Sequence, residues 1–475
     1  MVSEKFRYQL RQEVEQWRAE GLIDAQLYRQ LEERYQFDSL EIAARNRFIG
    51  IFMGLGGILL GLGAIAFVAA NWQVWSREFR VMLLLSVFVG VNAAGFYLWR
   101  IAPVSNAKIN TEPSQTGWQQ RLGEGLLLLG AILLGANMAL MAQMFHIGGS
   151  LFELYLVWGL GVLAMAYSLR LTSLGVMAIL LSGCGYLLSV FDWNSKQDIS
   201  WVQILIQHAP LAATLLFIPL AYWCRSRIIF ALGANAVIFP LLTSISQGLN
   251  IAPGFFFALA YTLPPALLWG YDDRNFPTFL CSRIFQPLAR RLALVFLSIL
   301  FYFSSFNLWS NFPSQTVEIS KLLSRPLIID IIILGAIAIW EWFSLARREK
   351  KNKLSKSTIL TSKFVAFLMA IATLTSIFNL SIYPIPELTV FIFNLLLFFL
   401  ATALIREGLT ITNRRFFWGG MLLLTLQIIS RTIEYNTDLI LKALAFFACG
   451  IAVIAAGLWF ERYSSRLKPS KENSL

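Results

Sequence analysis

Residues 124–145 read EGLLLLGAILLGANMALMAQMF, and this stretch decides the fold class. Its one charged residue, Glu124, stands at the first position, and the other side chains are apolar, small or amide. A helix of about 20 such residues crosses roughly 30 Å of hydrocarbon. Because backbone groups in lipid must be satisfied within the segment, the stretch predicts a membrane-spanning α-helix.

The whole chain has the composition of a polytopic membrane protein. Of its 475 residues, 57% are hydrophobic and 14% are charged, and the mean hydropathy is +0.63. Too little polar sequence remains to cover soluble surfaces, which excludes a multi-domain soluble enzyme, a disordered or collagen-like chain and a small disulfide scaffold. We therefore predict an all-α integral membrane protein.

Fourteen apolar stretches are long enough to be spans. Two tight pairs, 152–169 with 171–191 and 364–383 with 388–405, would also fit re-entrant hairpins. The fourteen predicted spans are 48–70, 81–99, 124–145, 152–169, 171–191, 204–223, 228–246, 251–270, 292–309, 327–346, 364–383, 388–405, 416–433 and 439–459.

The basic residues indicate the orientation of these spans, because cytoplasmic loops carry an excess of Lys and Arg. The fourteen spans place all but seven of the 39 lysines and arginines on one side. Both termini are then cytoplasmic, in a multi-pass protein of the plasma membrane. The net charge of +12 belongs to these loops, so no nucleic-acid partner is expected. The seven on the opposite side are Arg77, Arg80, Lys196, Lys321, Arg325, Arg431 and Lys442.

The predicted organisation has four parts: a cytoplasmic helical hairpin (1–47), a membrane region of four spans (48–170), a further membrane bundle (171–460) and a cytoplasmic tail (461–475). No apolar stretch opens the chain, so we expect no cleaved signal peptide.

In the hairpin, apolar side chains recur at helical spacing on each side of Gly21, which is suited to a left-handed helix cap. Asp24 can cap the second helix. The hairpin either packs on its own membrane domain or binds a second copy or another protein through residues 3–36.

Four polar residues are predicted to meet at the outer face of the membrane. Asn71 and Trp72 follow the first span, and Gln143 and His146 end the third. Trp72 also fits an interfacial anchor and Gln143 a helix cap, so a shared binding or gating site and a purely structural role both remain open.

Three ionisable residues lie inside predicted spans, where charge is costly and commonly functional. They are His208, Asp330 and Glu341. Asp330 and Glu341 also lie within two turns of their helix ends, where headgroup water offers a structural explanation. Prolines interrupt the neighbouring spans, as in the broken helices of transporters, although such kinks are also common in membrane helices. These prolines are Pro210, Pro219, Pro240, Pro264 and Pro265.

Residues that would hold a metal or perform catalysis in known motifs are missing from the sequence. The four cysteines are scattered, the chain has two histidines, and no P-loop, H-E-x-x-H, G-x-S-x-G or dinucleotide fingerprint occurs. We expect no cofactor and no metal, and we favour a non-enzymatic role.

Three stretches resemble bacterial membrane proteins of domain of unknown function 2157. They are GLIDAQLYRQL (21–31), AANWQVWSREFR (69–80) and GEGLLLLGAILLGANMALMAQMFHIGGSLFELYLVWGL (123–160). The resemblance covers residues 8–165 and implies a membrane protein without assigning any catalytic residue. The first stretch is also similar to short SHOCT oligomerisation hairpins, which favours assembly slightly.

These observations lead to two functional hypotheses. The first is a permease or flippase-like carrier of a small or lipidic substrate. The alternative is an assembly or sensing protein whose N-terminal hairpin binds partners.

Overall fold

The computed structural model describes residues 10, 13–18, 20–35, 74–101, 116–191, 201–246, 253–273, 285–307, 309, 325–351, 362–411, 413–434 and 438–466. Regular structure in these ranges is helical throughout, as predicted. Residues 1–87 and 88–475 form separate compact units.

Fifteen helices are named here, and residues 13–18 form a further short helical segment. The helices are α1 (Ala25–Tyr35), α2 (Arg77–Ile101), α3 (Thr116–Met144), α4 (Leu151–Leu169), α5 (Thr172–Phe191), α6 (Trp201–Gln207), α7 (Ala209–Trp223), α8 (Arg227–Ser246), α9 (Pro253–Gly270), α10 (Gln286–Ser304), α11 (Arg325–Lys351), α12 (Ser362–Ile377), α13 (Pro386–Thr410), α14 (Arg414–Glu434) and α15 (Leu439–Arg466).

The number of membrane-crossing helices differs from the predicted fourteen. Within the described ranges, 11 helices are long and apolar enough to cross a membrane, or 12 if the bent pair α6–α7 is one span. The predicted span 48–70 lies outside the described residues. Helix α9 matches the predicted span 251–270 but is not among the 11, and prolines 264 and 265 interrupt its apolar sequence. The count of fourteen is therefore not confirmed.

The tight pair α4–α5 consists of two long helices rather than a short re-entrant loop. Arg170 adopts a left-handed conformation (φ 55°) and its N–H closes α4 on the carbonyl of Ala166, so the chain reverses at once. Glycines let the two helices approach closely. A Cβ on Gly159 would lie 2.6 Å from Ser182 Oγ, and one on Gly185 would lie 2.8 Å from Leu156 Cγ.

Helix α12 ends in a π-helical turn, Phe378–Ile382, before the second tight pair closes. The Asn379 side chain accepts a hydrogen bond from the backbone N–H of Ile385 at 2.7 Å, which fixes the loop that leads into α13. Both α12 with its π-turn and α13 are long enough to be full spans.

In the described part of residues 88–475, buried side chains form three clusters. The first joins α3, α4, α5, α7 and α8 to the start of α10, and the second lies mainly between α9, α10, α12 and α13. The third, made by α8, α9 and α11, includes Leu241, Phe256 and Leu334. This third cluster positions the polar pair described below.

The N-terminal segment contains both of its predicted local signals. Gly21 has φ 74°, and Asp24 Oδ1 accepts a hydrogen bond from the N–H of Leu27 at 2.8 Å. The hairpin as a whole is not confirmed, since much of residues 1–12 and all of 36–47 lie outside the described ranges. The predicted boundaries at residues 47, 170 and 460 stay predictions.

Candidate functional site

A break between α6 and α7 places His208 outside regular helix. The two helices meet at 87°. Pro210 lacks the N–H that a continuous helix would need, and its ring would clash with the carbonyl four residues earlier, at Ile206. In the second position of α7 the same proline is well tolerated. The sequence therefore bends the chain at His208.

The bend brings His208 to Asp330, which is 122 residues away in the sequence. His208 Nδ1 lies 2.6 Å from Asp330 Oδ1. Asp330 is in the second turn of α11 and its side chain is 1% exposed, whereas that of His208 is 29% exposed. Leu327 and Leu334 flank the aspartate on the same buried face of α11. Among the described residues, the half-buried imidazole is the hydrogen-bond partner of this buried aspartate.

The second carboxylate oxygen of Asp330, Oδ2, is buried and accepts no hydrogen bond from any described residue. A neutral imidazole that donates from Nδ1 to the carboxylate keeps a free acceptor at Nε2, and a protonated one offers a donor there. The imidazole can therefore take up a proton at Nε2, whereas Asp330 Oδ2 is a buried acceptor without a partner among the described residues.

Glu341, the third predicted intramembrane residue, is separate from this pair. It is eleven residues beyond Asp330 on the same buried face of α11, about 16 Å along the helix axis. Its Oε2 is buried and has no hydrogen-bond partner among the described residues. Gly270 is its close neighbour, since a Cβ there would lie 3.1 Å from Glu341 Cβ.

The predicted outer-face site is only half described. Asn71 and Trp72 lie outside the described residues. Gln143 and His146 are both exposed at the end of α3, and His146 has φ 51°. Their meeting with Asn71 and Trp72 stays a prediction.

A tyrosine–aspartate cluster that the sequence did not indicate joins the ends of α7, α9 and α10. The Tyr222 hydroxyl donates to Asp273 Oδ1 at 2.5 Å and lies 2.7 Å from the Tyr271 hydroxyl. Asp273 Oδ2 accepts the N–H groups of Phe285 and Gln286 at 3.1 and 3.0 Å. Burial raises the pKa of Tyr271, so this phenol stays protonated and serves as a neutral hydrogen-bonding group.

A second unanticipated cluster surrounds Arg431 in α14. Nη1 of Arg431 donates to the carbonyl of Ser305 at 2.5 Å and pairs with Glu434, and the guanidinium carbon lies 4.2 Å from the centre of the Phe306 ring. Asn394 also donates to Ser305 O, at 3.1 Å, and Gln427 donates to Asn394. Asn394 and Gln427 belong to two different predicted spans, 388–405 and 416–433, and nothing in the sequence pairs them with each other or with an arginine.

Within the described part of the chain, no three His, Cys, Asp or Glu side chains lie close enough to hold a metal ion.

The comparison with protein families concerns the N-terminal part of the chain. A family model described as Predicted membrane protein (DUF2157) covers this part. Residues 15–175 match DUF2157. The resemblance recognised over residues 8–165 is thereby confirmed. The DUF2157 match includes Gln143 and His146 and ends in α5, before the His208–Asp330 pair. No curated protein and no solved structure matches the chain.

Proposed function

We propose that the protein is a permease or flippase-like carrier of a small or lipidic substrate, and that its working polar site is the His208–Asp330 pair. The observation that carries this proposal is the contact of a buried aspartate with a histidine at a helix break. Broken helices with ionisable residues at their ends form the binding sites of many transporters.

The length of α7 supports a position within the membrane. Its 15 residues rise about 22 Å, less than the roughly 30 Å of hydrocarbon. A helix that starts near one surface therefore ends inside the apolar layer, and His208 lies at that end. A charged pair has a large interaction energy in such surroundings, because the effective dielectric constant is low.

The pair supplies the chemistry that a coupled carrier needs. With His208 protonated, the pair is a salt bridge that holds α7 against α11. When the imidazole releases its Nε2 proton, the salt bridge becomes a weaker hydrogen bond from a neutral imidazole to a carboxylate whose charge is no longer compensated. That charge then attracts a cationic or donor group of the substrate. Prolines in α8 and α9 remove backbone hydrogen bonds, which makes these neighbouring helices easier to bend.

The test uses liposomes that contain the purified protein, a fluorescent phospholipid in one assay and an internal pH dye in another. We expect the protein to speed lipid exchange or proton entry over empty liposomes, and we expect Asp330→Asn and His208→Gln to remove that rate. Glu387→Gln is the control, because Glu387 is an exposed carboxylate at the start of α13. Equal rates for the wild-type protein and Asp330→Asn would contradict the proposal.

Exposed apolar side chains near the N-terminus support the alternative hypothesis, assembly through the N-terminal segment. Trp17, Leu22 and Leu27 are 37%, 69% and 43% exposed, and apolar side chains exposed close together mark interaction surfaces. If these side chains bind a second copy, removing residues 1–36 lowers the number of protomers per particle, which native mass in detergent measures. An unchanged number of protomers counts against assembly through this segment.

A further inference from the structure

A cavity of about 330 Å³ lies between α4, α5, α7 and α8, with α6 across one end. Its walls are almost wholly apolar, with Ile179, Leu187, Ala213 and Phe239 among them. This volume is at the lower end of the range found for small-molecule sites. Among the residues that the structure describes, no charged side chain lines it.

The cavity opens toward the region that lipid would occupy. Helices α4, α5 and α8 are each long and apolar enough to span a membrane, and α6–α7 passes as a bent pair. Five of the lining side chains are exposed, and three of them are large and apolar: Leu180 is 55% exposed, Leu187 40% and Phe239 39%. The other two are Cys184 and Asn235. Large apolar side chains around an opening suit hydrocarbon better than water.

Two polar side chains in the wall, Ser182 and Asn235, make no hydrogen bond to any residue that the structure describes, and Asn235 is the more exposed of the two. Other amides within the apolar helices do form such bonds: Asn92 donates to Phe88 O at 2.8 Å, and Asn394 donates to Val390 O at 2.8 Å. An amide left without a partner in hydrocarbon is costly, so a ligand that hydrogen-bonds with Asn235 would be stabilised there.

The position of Asn235 along α8 indicates how deep it lies in the membrane. It is eight residues from Arg227 and eleven from Ser246, about 12 and 16 Å along the helix axis. It therefore lies near the middle of the apolar layer. The charged headgroup of a phospholipid stays at the membrane surface and does not reach that depth.

We propose that this cavity binds a neutral lipid, whose chain lies against the apolar wall and whose hydroxyl or carbonyl group hydrogen-bonds with Asn235. The binding site does not depend on transport through the His208–Asp330 pair. The cavity and the pair are neighbours along the sequence, because Ile206 and Ala209, on either side of the helix break at His208, line the cavity.

The test is photo-cross-linking in lipid nanodiscs with a long-chain alcohol that carries a diazirine, followed by mass spectrometry of the labelled peptides. We expect labelling concentrated on α5 and α8. Gly183→Leu should abolish it, because Gly183 lines the cavity and a Cβ there meets nothing within 4 Å. Gly450→Leu is the matched control, as Gly450 in α15 is equally open and lies outside the cavity.

A second variant tests the hydrogen bond. Asn235→Leu should lower labelling by the alcohol about fivefold, the effect of one hydrogen bond. It should leave unchanged the labelling by the matching alkane, which lacks the hydroxyl. This variant alters only an exposed side chain, so it decides the question even if Gly183→Leu fails to fold.

Three results would overturn the proposal. One is labelling spread evenly over all the apolar helices. Another is labelling by the alcohol that Asn235→Leu leaves intact. The third is equally strong labelling of α5 and α8 by a diazirine phospholipid, which would make the cavity an ordinary contact with membrane acyl chains.

Discussion

Glycines in α3 are of two kinds at the scale of single residues. A side chain on Gly130 would overlap the Asn92 amide, and one on Gly135 would overlap the Trp158 ring. Trp158 fits there because its indole N–H donates to the carbonyl of Ala131 at 2.7 Å. Gly125, on the same helix, has nothing within 4 Å of the Cβ position. The first two glycines are therefore packing requirements and the third is not.

We expect Gly135→Leu to destabilise the protein by about 1–3 kcal/mol, because an overpacked interface must move Trp158 away from α3. Gly125→Leu should leave stability unchanged. Thermal unfolding in detergent, followed by tryptophan fluorescence, compares the two variants. Equal melting temperatures would show that α3 and α4 do not pack as closely as described.

The reactivity of the Cys224 thiol, which lies just beyond α7, should depend on pH. Burial raises the pKa of its thiol, and the positive charge of Arg170 lowers it in part. Only the thiolate reacts with maleimides. Alkylation of Cys224 should therefore be slow at neutral pH and become faster as the pH rises. The variant Arg170→Gln should raise the pKa of the thiol and so slow alkylation at any given pH. The measurement uses a variant in which the other three cysteines are replaced; faster alkylation in Arg170→Gln would contradict the predicted sign.

At the scale of elements, the start of α10 depends on a residue from a different helix end. Asp273 follows α9 and accepts two backbone N–H groups at the N-terminus of α10 together with the Tyr222 hydroxyl. A carboxylate in this position satisfies donors that a helix start leaves free. It thereby connects three helices at one point.

Asp273→Ala should destabilise the protein by about 3 kcal/mol, because buried donors lose a charged acceptor. Ser76→Ala is the control: Ser76 Oγ accepts the N–H of Phe79 at 3.3 Å in an exposed cap, and its loss should cost about 1 kcal/mol or less. Unfolding by heat in detergent measures both. Similar losses for the two caps would mean that the Tyr222–Asp273 contact adds nothing to an ordinary helix cap.

The bend at α6–α7 is also an element-scale feature, and part of it was readable in the sequence. Pro210 predicts a helix interruption. The sequence did not indicate that α7 would have only 15 residues, nor that the interruption would put His208 against α11. Those features depend on which helices pack together.

At the scale of the whole molecule, the distribution of basic residues makes a prediction that the fold does not yet test. Fourteen spans with most Lys and Arg on one side place both termini in the cytoplasm. Fusion of a fluorescent protein and of a periplasmic phosphatase to each end should give fluorescence and no phosphatase activity at both. A phosphatase inserted within residues 192–200 should be active. Opposite results at the two ends would require an odd number of spans.

The sequence by itself determined the membrane class, the all-α fold and the approximate position of each apolar helix that the structure describes. It could do so because a helix in hydrocarbon satisfies its own backbone and its composition must suit the lipid, so the signal is local. His208, Asp330 and Glu341 were likewise selected by the local cost of an ionisable group in an apolar stretch. The family resemblance of the N-terminal part followed from local stretches as well.

Only the tertiary structure decided which of these residues lie together. His208 and Asp330 meet across 122 residues, while Glu341 lies three turns away on the helix that carries Asp330. The same holds for Arg431 with Ser305 and for Tyr222 with Asp273. In lipid, apolar side chains do not distinguish a neighbouring helix from the bilayer, so helix pairing depends on small residues, polar contacts and shape. These features are properties of pairs of surfaces, and a one-dimensional pattern of apolar and polar residues does not record them.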